Sequence, residues 1–273
     1  MARKKSKQHY DFVFSLGQAC SCSSSLRAAK LQYASYPFDW LYGSDIKGRA
    51  DILANGFQGW LDRNDLVYQG DRHHPQPCHI YKHAETGIIF NHDFPLSQTL
   101  DESWESVNEK YNRRIDRLFR EIGKSKKVLA VYMESPEKGR ITSDEMLIDA
   151  QKRMAGKFPD VQIDLLYLYC DGNLAPEAME ITDLNEYVKT AAFDYSDHAP
   201  NTPAFAVDTA RAGVLLKRYC ASDRRTVAEK LKHERARLKR YGKGSVFRQI
   251  FNKLCFKLMR RLENRLRKEG VIS

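Results

Sequence analysis

Two apolar segments joined by a helix-like segment constrain the fold of this chain more than any other feature. KKVLAVYM (126–133) and QIDLLYLYC (162–170) are almost continuously apolar, and SDEMLIDAQKRMAGKF (143–158) lies between them with helical spacing. Continuous apolar strands are typical of sheets buried on both faces, and a helical crossover joins parallel strands. The sequence therefore predicts a three-layer α/β domain with a mainly parallel sheet.

Further segments extend this prediction in both directions. YDFVFSLG (10–17) predicts a buried strand that ends at a glycine, and TGIIFNHDF (86–94) predicts another strand. The remaining expectations are a helix over 44–64 capped by Ser44, an irregular segment over 65–86, a long helix in LSQTLDESWESVNEKYNRRIDRLFREIGK, an edge strand over 178–184, a loop over 196–208, and helical structure from Thr209 onward with a break at 241–245.

The net charge of +10 is concentrated near the C terminus. Residues 223–270 contain 17 Lys or Arg and five Asp or Glu, whereas the rest of the chain contains 28 and 30. We therefore expect an α/β catalytic-type domain over 10–208 and a basic helical C-terminal extension over 209–273. Because the positive charge is confined to the extension and no known binding motif accompanies it, nucleic acid is not an expected partner.

The extension contains an amphipathic pattern over 246–266, with apolar residues at helical spacing and basic residues between them. The pattern fits an anionic membrane surface, and it also fits a helix packed on the domain with a solvated basic face. The sequence has no apolar stretch long enough to span a membrane, and no apolar segment follows its basic N terminus. We therefore expect a cytoplasmic protein, peripheral at the inner membrane surface if the extension binds lipid.

Six cysteines without an export signal are expected to be reduced thiols. The segment SLGQAC (15–20) places Cys20 after a strand and a glycine turn, where a helix is predicted to begin. Amide groups and the helix dipole at such a position favour the thiolate and can stabilise an oxyanion. The spacing equally fits a small buried cysteine, and it gives no role to Cys22.

A nucleophilic cysteine needs a base. His92 is the first candidate, because it follows the apolar run GIIF and should lie at the end of a strand. The alternative for His92 is a partly buried histidine bonded to a backbone carbonyl. His198 is the second candidate base, with Asp194 and Asp197 close to it in sequence.

The segment YPFDW (36–40) combines three aromatic residues, a proline and an acid. In one interpretation Asp39 turns the chain within an aromatic core. In the other it lines the pocket beside Cys20 and orients a base or a substrate hydroxyl. The two roles are compatible.

The segment PCHIYKH (77–83) is rich in metal-ligating residues, which are Cys78, His79 and His83 after His73 and His74. A zinc site is conceivable, but no second cluster with standard ligand spacing completes it. We therefore expect a polar surface loop here, and neither a metal nor a cofactor.

SLGQAC, YPFDW and GIIFNHDF occur in this order, and together they make the chain resemble the bacterial family described as papain-like cysteine peptidases, a domain of otherwise unknown function. The resemblance covers roughly residues 11–95 and extends weakly to about 185. It implies Cys20 as the nucleophile and His92 as the base. Asp93 would point away from His92 on a strand, so Glu134 and Asp39 are the candidates for a third catalytic residue.

This resemblance implies a cysteine hydrolase that acts on peptides. The same thiolate chemistry can pass an acyl group from a thioester to a saccharide hydroxyl. The family resembles papain-like proteins of bacterial surface-polysaccharide synthesis, so a cysteine-dependent acyltransferase is the alternative. A third hypothesis is a non-enzymatic peripheral membrane scaffold with Cys20 merely buried. Since the papain fold pairs a helical half with an antiparallel half, we expect its Cys–His site on a different, three-layer α/β architecture.

Overall fold

The computed structural model of the chain describes residues 7–74, 76–175, 177–232 and 235. The chain divides into two compact units, Met1–Ser222 and Asp223–Ser273. The division after residue 208 that the sequence suggests therefore differs from the observed one by 14 residues. The predicted amphipathic helix over 246–266 and the break at 241–245 lie outside the described residues.

The first unit contains short strands and helices of ordinary length. Its strands are β1 (Gln8–Tyr10), β2 (Phe12–Gly17), β3 (Tyr42–Gly43), β4 (Leu66–Arg72), β5 (Cys78–His83), β6 (Ile88–Pro95), β7 (Lys127–Met133), β8 (Gln162–Tyr169), β9 (Glu180–Asp183), β10 (Val188–Ala192) and β11 (Tyr219–Ala221). Its helices are α1 (Ala19–Ala28), α2 (Ile46–Ala54), α3 (Leu100–Gly123), α4 (Asp144–Lys157) and α5 (Thr209–Leu216).

The main sheet has five strands in the order β2-β7-β8-β10-β9. The first four are mutually parallel, and β9 is an antiparallel edge strand. Strands β2 and β7 are buried along almost their whole length, which explains why their sequences are apolar at nearly every position. The predicted mainly parallel sheet is confirmed.

Helices cover both faces of this sheet, so the unit has three layers. On one face, α1 and α5 pack in a core that includes Val13, Val131 and Leu166. On the other face, α2, α3 and α4 pack in a larger core that includes Phe14 and Leu165. Each fully buried side chain of this size contributes about 1.5–3 kcal/mol relative to an exposed one.

A second sheet, with strand order β3-β6-β5-β4, is inserted in the chain between β2 and β7. All of its pairings are antiparallel. The prediction of an irregular segment over 65–86 is therefore wrong, because β4 and β5 lie within it. Strand β4 is mostly exposed and its register shifts between Tyr68 and Gly70, which hides the usual alternation of apolar and polar residues.

Three local predictions also need correction. Asp45, rather than Ser44, caps α2 by accepting a hydrogen bond from the Gly48 amide, and α2 ends at Ala54 rather than at 64. The region after Thr209 is not continuously helical, because α5 is followed by β11, which pairs with β1. Strand β10, which the sequence did not predict, lies between β8 and β9. Within the described residues, no helix is long and apolar enough to cross a membrane.

Candidate active site

The segment SLGQAC forms the turn that joins β2 to α1. Gly17 has φ of +108°, which lies in the region that favours glycine. After it, the Gln18 amide donates to the Met133 carbonyl (3.0 Å), and the Ala19 amide donates to the Leu41 carbonyl (3.2 Å). These two bonds fix the first residue of α1 between the end of β7 and the segment that leads into β3.

Arg49, on α2, contacts this turn from the interior of the protein. The sequence did not predict this role. Its side chain is fully buried. The guanidinium donates to the carbonyls of Leu16 (2.7 Å), Leu41 (2.9 Å) and Gly43 (2.8 Å). Burial lowers the pKa of Arg49. The Arg49 Nε also donates to the Ser44 carbonyl (3.4 Å). A buried charge is costly unless hydrogen bonds satisfy it. These carbonyls satisfy the charge of Arg49, and the same bonds hold the end of β2 and the segment around β3 to α2.

Cys20 is the second residue of α1 and is partly exposed. The hydroxyl of Tyr42, on β3, lies beside the Cys20 side chain. Burial, followed by the effect of Cys20, raises the pKa of Tyr42 to about 12. The Tyr42 hydroxyl therefore stays protonated at neutral pH and can donate to the sulfur.

Cys22 lies two residues further along α1 and has a different environment. It is fully buried, and its Sγ donates to the Val131 carbonyl (3.4 Å). Burial raises the pKa of Cys22 to about 12. A buried thiol of this kind is inert, so Cys22 is a core residue of the interface between α1 and the sheet.

His92 lies in β6, with its ring half-buried. Arg72, at the end of β4, donates from Nη2 to His92 Nδ1 (2.9 Å), and its Nη1 lies 3.5 Å from Nε2. Burial first, and then the Arg72 guanidinium, lower the pKa of His92, although Asp93 opposes them. The imidazole is therefore neutral at physiological pH.

The Arg72 contact also determines the tautomer of His92. A guanidinium has only donors, so the nitrogen that faces it at 2.9 Å must be the acceptor. Neutral His92 thus carries its proton on Nε2 while Arg72 occupies Nδ1. The contact is with a neighbouring side chain, not with a backbone carbonyl as the structural alternative for His92 supposed.

Asp39 lies in the 3₁₀ turn Pro37–Trp40 and is fully buried. Its Oδ2 accepts hydrogen bonds from Gln32 (2.7 Å), from Arg27 (3.0 Å) and from the Tyr36 amide (3.0 Å). Burial raises the pKa of Asp39, and the hydrogen bonds from these three groups lower it in part. All three partners belong to α1 or to the segment around the turn, and these contacts are those of a residue that turns the chain.

Glu134 follows β7 and is 1% exposed. The Tyr132 hydroxyl lies beside its carboxyl group, but within the described residues neither carboxylate oxygen has a partner with hydrogen-bond geometry. Burial raises the pKa of Glu134, whereas Tyr132 and Lys138 lower it in part. Glu134 is also the residue after Met133, whose carbonyl anchors the turn before Cys20.

His198 is exposed and belongs to a separate cluster at the end of β10. Its Nε2 lies 2.7 Å from Asp194 Oδ2, which also accepts from Arg211 (2.9 Å). Burial raises the pKa of Asp194, but hydrogen bonds from His198 and Ser196 outweigh it and hold the pKa well below the usual range. In the sheet order β10 lies three strands from β2, about 14 Å away.

The metal-ligating residues of PCHIYKH lie in a strand, not in a surface loop as the sequence suggested. Cys78 donates to the Asn91 carbonyl (3.0 Å), His79 is paired with Asp71 (2.6 Å), and His83 is bonded to the Gly59 carbonyl (2.9 Å). Neighbours on a strand point to opposite faces, so Cys78 and His79 diverge. In the part of the chain that the structure describes, no group of three or more such side chains could hold a metal ion.

Strand β3 lies between the Cys20 turn and the strand of His92. The Leu41 carbonyl before Tyr42 accepts from the Ala19 amide before Cys20, Tyr42 pairs with Ile89 on β6, and Arg72 is bonded to His92 on the same strand. Within the described residues, the hydrogen bonds of His92 are with Arg72 and not with Cys20. The sequence drew attention to neither Tyr42 nor Arg72. The only available signals were the tyrosine just after YPFDW and the arginine beside the histidine-rich segment.

Fold and site together define a mixed α/β protein with a cysteine at the N terminus of a helix. A family model described as "Putative papain-like cysteine peptidase (DUF1796)" matches residues 11–173. The chain therefore belongs to this family, and the match includes all four candidate site residues: Cys20, Asp39, His92 and Glu134.

One curated protein is similar to the chain, an uncharacterised protein of Acanthamoeba polyphaga mimivirus. The two are 30% identical over 151 residues, which cover 50% of this chain and 67% of the viral protein. The search of solved structures gave no match. The family supports a cysteine hydrolase, whereas these comparisons give no support to acyl transfer, polysaccharide synthesis, membrane binding or a bacterial source.

Proposed function

We propose that this protein is a cysteine-dependent hydrolase that cleaves peptide bonds, with Cys20 as its nucleophile. The observation that carries the proposal is the position of Cys20, partly exposed in the first turn of α1 with the Tyr42 hydroxyl beside it. Three other described cysteines, at 22, 78 and 170, are buried, and burial raises the pKa of each. Membership of a family described as papain-like cysteine peptidases supports the same assignment.

In this mechanism the Cys20 thiolate attacks the carbonyl carbon of the scissile amide. The first amide groups of a helix have no intrahelical acceptor. The Ala19 amide already donates to the Leu41 carbonyl, so the Cys20 amide that follows it is the proposed donor to the developing oxyanion. The C–N bond then breaks, the amine leaves with a proton, and a thioester remains on Cys20. Attack by water on that thioester releases the acid and restores the thiol.

His92 is the proposed carrier of the proton in both steps. Because Arg72 occupies Nδ1, the thiol proton can reach that nitrogen only when the guanidinium no longer donates to it. The lowered pKa of His92 keeps the ring neutral and able to act as a base below its usual pH range. Opening of the Arg72 contact is therefore a required step when His92 acts through Nδ1.

Glu134 is the better supported candidate for a third residue. Its carboxyl group is buried, and within the described residues neither oxygen accepts a hydrogen bond. Glu134 also directly follows Met133, whose carbonyl accepts from the Gln18 amide in the turn before Cys20. Asp39 has three donors on one oxygen and holds the YPFDW turn to α1. We therefore propose that Glu134 helps to position the SLGQAC turn before Cys20. Asp39 instead stabilises the folded protein.

The test combines labelling and turnover. The wild-type protein, Cys20→Ser, Cys22→Ser and His92→Ala are incubated with a mixed peptide library, and new termini are counted by mass spectrometry. Cleavage should be lost in Cys20→Ser, retained in Cys22→Ser and reduced by roughly 10²–10⁴ in His92→Ala. Limiting iodoacetamide should modify Cys20 before the buried cysteines.

Two results would refute peptide hydrolysis while separating the alternatives. Consumption of an acyl thioester without peptide cleavage, faster with a saccharide acceptor, would identify an acyltransferase that uses the same cysteine. A Cys20 that resists labelling in the folded protein would favour a non-enzymatic scaffold.

A further inference from the structure

Arg72 is a cation bonded to the proposed base, and the surrounding residues leave its charge largely uncompensated. It ends β4, and its Nε and Nη2 donate to the Gln76 carbonyl (3.2 and 3.1 Å). Its remaining neighbours are His92, to which it is bonded, and the Cys78 thiol, whose pKa burial raises and Arg72 lowers in part. The Nη1 contact with His92 at 3.5 Å is long for a hydrogen bond, so Nη1 keeps the capacity to donate.

Within the described residues, no carboxylate lies within ion-pair distance of Arg72. The two acids nearest to this cluster in sequence are engaged elsewhere. Asp71 is bonded to His79 (2.6 Å) and Tyr68 (2.8 Å). Asp93 is bonded to Lys110 (2.5 Å) and Tyr111 (2.9 Å).

The backbone places Arg72 and Cys20 on two sides of Tyr42. Tyr42 pairs with Ile89 on β6, the strand of His92, and the Leu41 carbonyl before it accepts from the Ala19 amide before Cys20 (3.2 Å). Burial raises the pKa of Tyr42, and Arg72 opposes this effect. Glu137, which is exposed, acts on Tyr42 in the opposite direction. Arg72 is therefore bonded to the proposed base, on the sheet whose strand β3 adjoins the proposed nucleophile, with a donor available on Nη1.

We propose that Arg72 is a specificity-determining residue that binds a carboxylate of the substrate next to the bond attacked by Cys20. This proposal rests on the proposed function, because it assumes that Cys20 is the attacking group. A guanidinium pairs with carboxylates through two parallel N–H bonds, which gives direction as well as charge. A carboxylate that takes these donors also competes with His92 for Arg72, and so releases Nδ1 at the moment when a substrate is bound.

Alkylation of Cys20 by two reagents of different charge tests this without knowledge of the natural substrate. Iodoacetate and iodoacetamide both react by thiolate attack on the CH₂ group with loss of iodide, and they differ in a carboxylate against a neutral amide. The rate at Cys20 is followed by peptide mass mapping and corrected by the rates on a free thiol. The corrected preference for iodoacetate should be roughly three- to tenfold in the wild-type protein.

Variants locate the source of that preference. Arg72→Gln should reduce it to about one, Arg72→Lys should keep part of it, and Glu137→Gln should increase it. Arg113→Gln, which removes an exposed arginine on α3, is the matched control and should leave it unchanged. If Arg72→Gln does not fold, the wild-type preference should still fall toward one as salt rises to about 1 M, where the screening length is near 3 Å.

The outcomes separate the two proposals. A Cys20 that reacts with neither reagent refutes the proposed nucleophile. A Cys20 that reacts readily with both, with no preference for iodoacetate or with a preference that Arg72→Gln leaves intact, refutes the role of Arg72. Loss of the preference in Lys138→Gln but not in Arg72→Gln would assign the anion to Lys138 and would also overturn the proposal.

Pairs of peptides then identify which substrate carboxylate Arg72 binds. One pair differs in a free or amidated C terminus, and the other in an internal Glu or Gln near the cleaved bond. The wild-type protein should prefer the acidic member of at least one pair by a factor that Arg72→Gln abolishes. Equal rates on both members of both pairs, from a protein that cleaves them, would contradict the proposal.

Discussion

The guanidinium of Arg49 occupies the space in which a side chain on Gly17 would begin. An ideal Cβ on Gly17 would lie 2.2 Å from the Arg49 Nη1 and 2.7 Å from Cζ. Real Cβ atoms do not approach other heavy atoms so closely, and Arg49 is fully buried with four carbonyls as acceptors. The glycine in SLGQAC is therefore required for two reasons, its backbone conformation and the arginine beneath it.

Gly17→Ala should consequently lower the free energy of unfolding by about 3 kcal/mol, the sum of backbone strain and a clash that a buried guanidinium cannot avoid. Gly70→Ala is the matched control, since Gly70 has φ of +115° and nothing within 4 Å of an added Cβ. It should cost about 1–2 kcal/mol, from backbone strain alone. Urea unfolding followed by circular dichroism measures both. Equal losses of unfolding free energy in the two variants would show that the Arg49 side chain moves aside without a measurable energetic cost.

Asp39→Asn should also destabilise the protein, by about 2 kcal/mol, because the charge that Arg27 faces disappears and a buried amide gains a donor without an acceptor. Asp62→Asn is the control, since Asp62 caps an exposed turn, and it should change stability by less than about 0.5 kcal/mol. The pH profile of peptide cleavage should be the same in Asp39→Asn as in the wild-type protein. A profile displaced by Asp39→Asn at unchanged stability would instead assign Asp39 the orienting role.

The contrast between the two sheets shows what the sequence could reveal. Strands β7 and β8, with α4 between them, were predictable because both faces are buried and almost every residue is apolar. The position of Cys20 at a helix start followed from the strand and the glycine before it. Strands β4 and β5 were missed because exposed positions and a register shift at Gly70 hide the alternation.

The two arginines of the site were missed for a different reason. Arg49 is bonded to a carbonyl 33 residues away, and Arg72 to a histidine 20 residues away. Such contacts leave no local pattern, because a backbone carbonyl carries no side-chain signature and an arginine on a half-exposed strand is usually solvated. Only the tertiary structure identifies which of the chain's many basic residues serve the site.

The acid limb of catalysis should depend on Arg72. Burial and Arg72 lower the pKa of His92, so the neutral base persists below the usual pH of 6.5, and activity should be lost only as pH falls through that lowered value. Arg72→Gln removes one of the two causes of the low pKa of His92. The acid limb of the pH–rate profile should therefore move to higher pH, while burial still keeps the pKa of His92 below 6.5. Titration of the His92 ring by NMR, together with the rate of iodoacetamide labelling at Cys20, measures both shifts. Arg72→Lys retains the charge and should resemble the wild-type protein, whereas a limb that moves to lower pH in Arg72→Gln would contradict this reasoning.

The basic C-terminal extension should direct the protein to anionic lipid surfaces, which we propose on the basis of its charge. Residues 223–270 contain 17 basic and five acidic residues, and the first compact unit ends at Ser222. Each basic residue near an anionic leaflet contributes about 1 kcal/mol, and the apolar positions over 246–266 would add burial. The full chain should therefore sediment with vesicles rich in phosphatidylserine, less with neutral vesicles, and less again as salt rises to about 0.5 M.

A chain truncated after Ser222 is the control and should remain in the supernatant with its circular dichroism and Cys20 labelling unchanged. Sedimentation that ignores lipid charge and salt would exclude the electrostatic interaction. A truncated chain that unfolds would show instead that the extension packs on the domain, the alternative that its amphipathic pattern also allows.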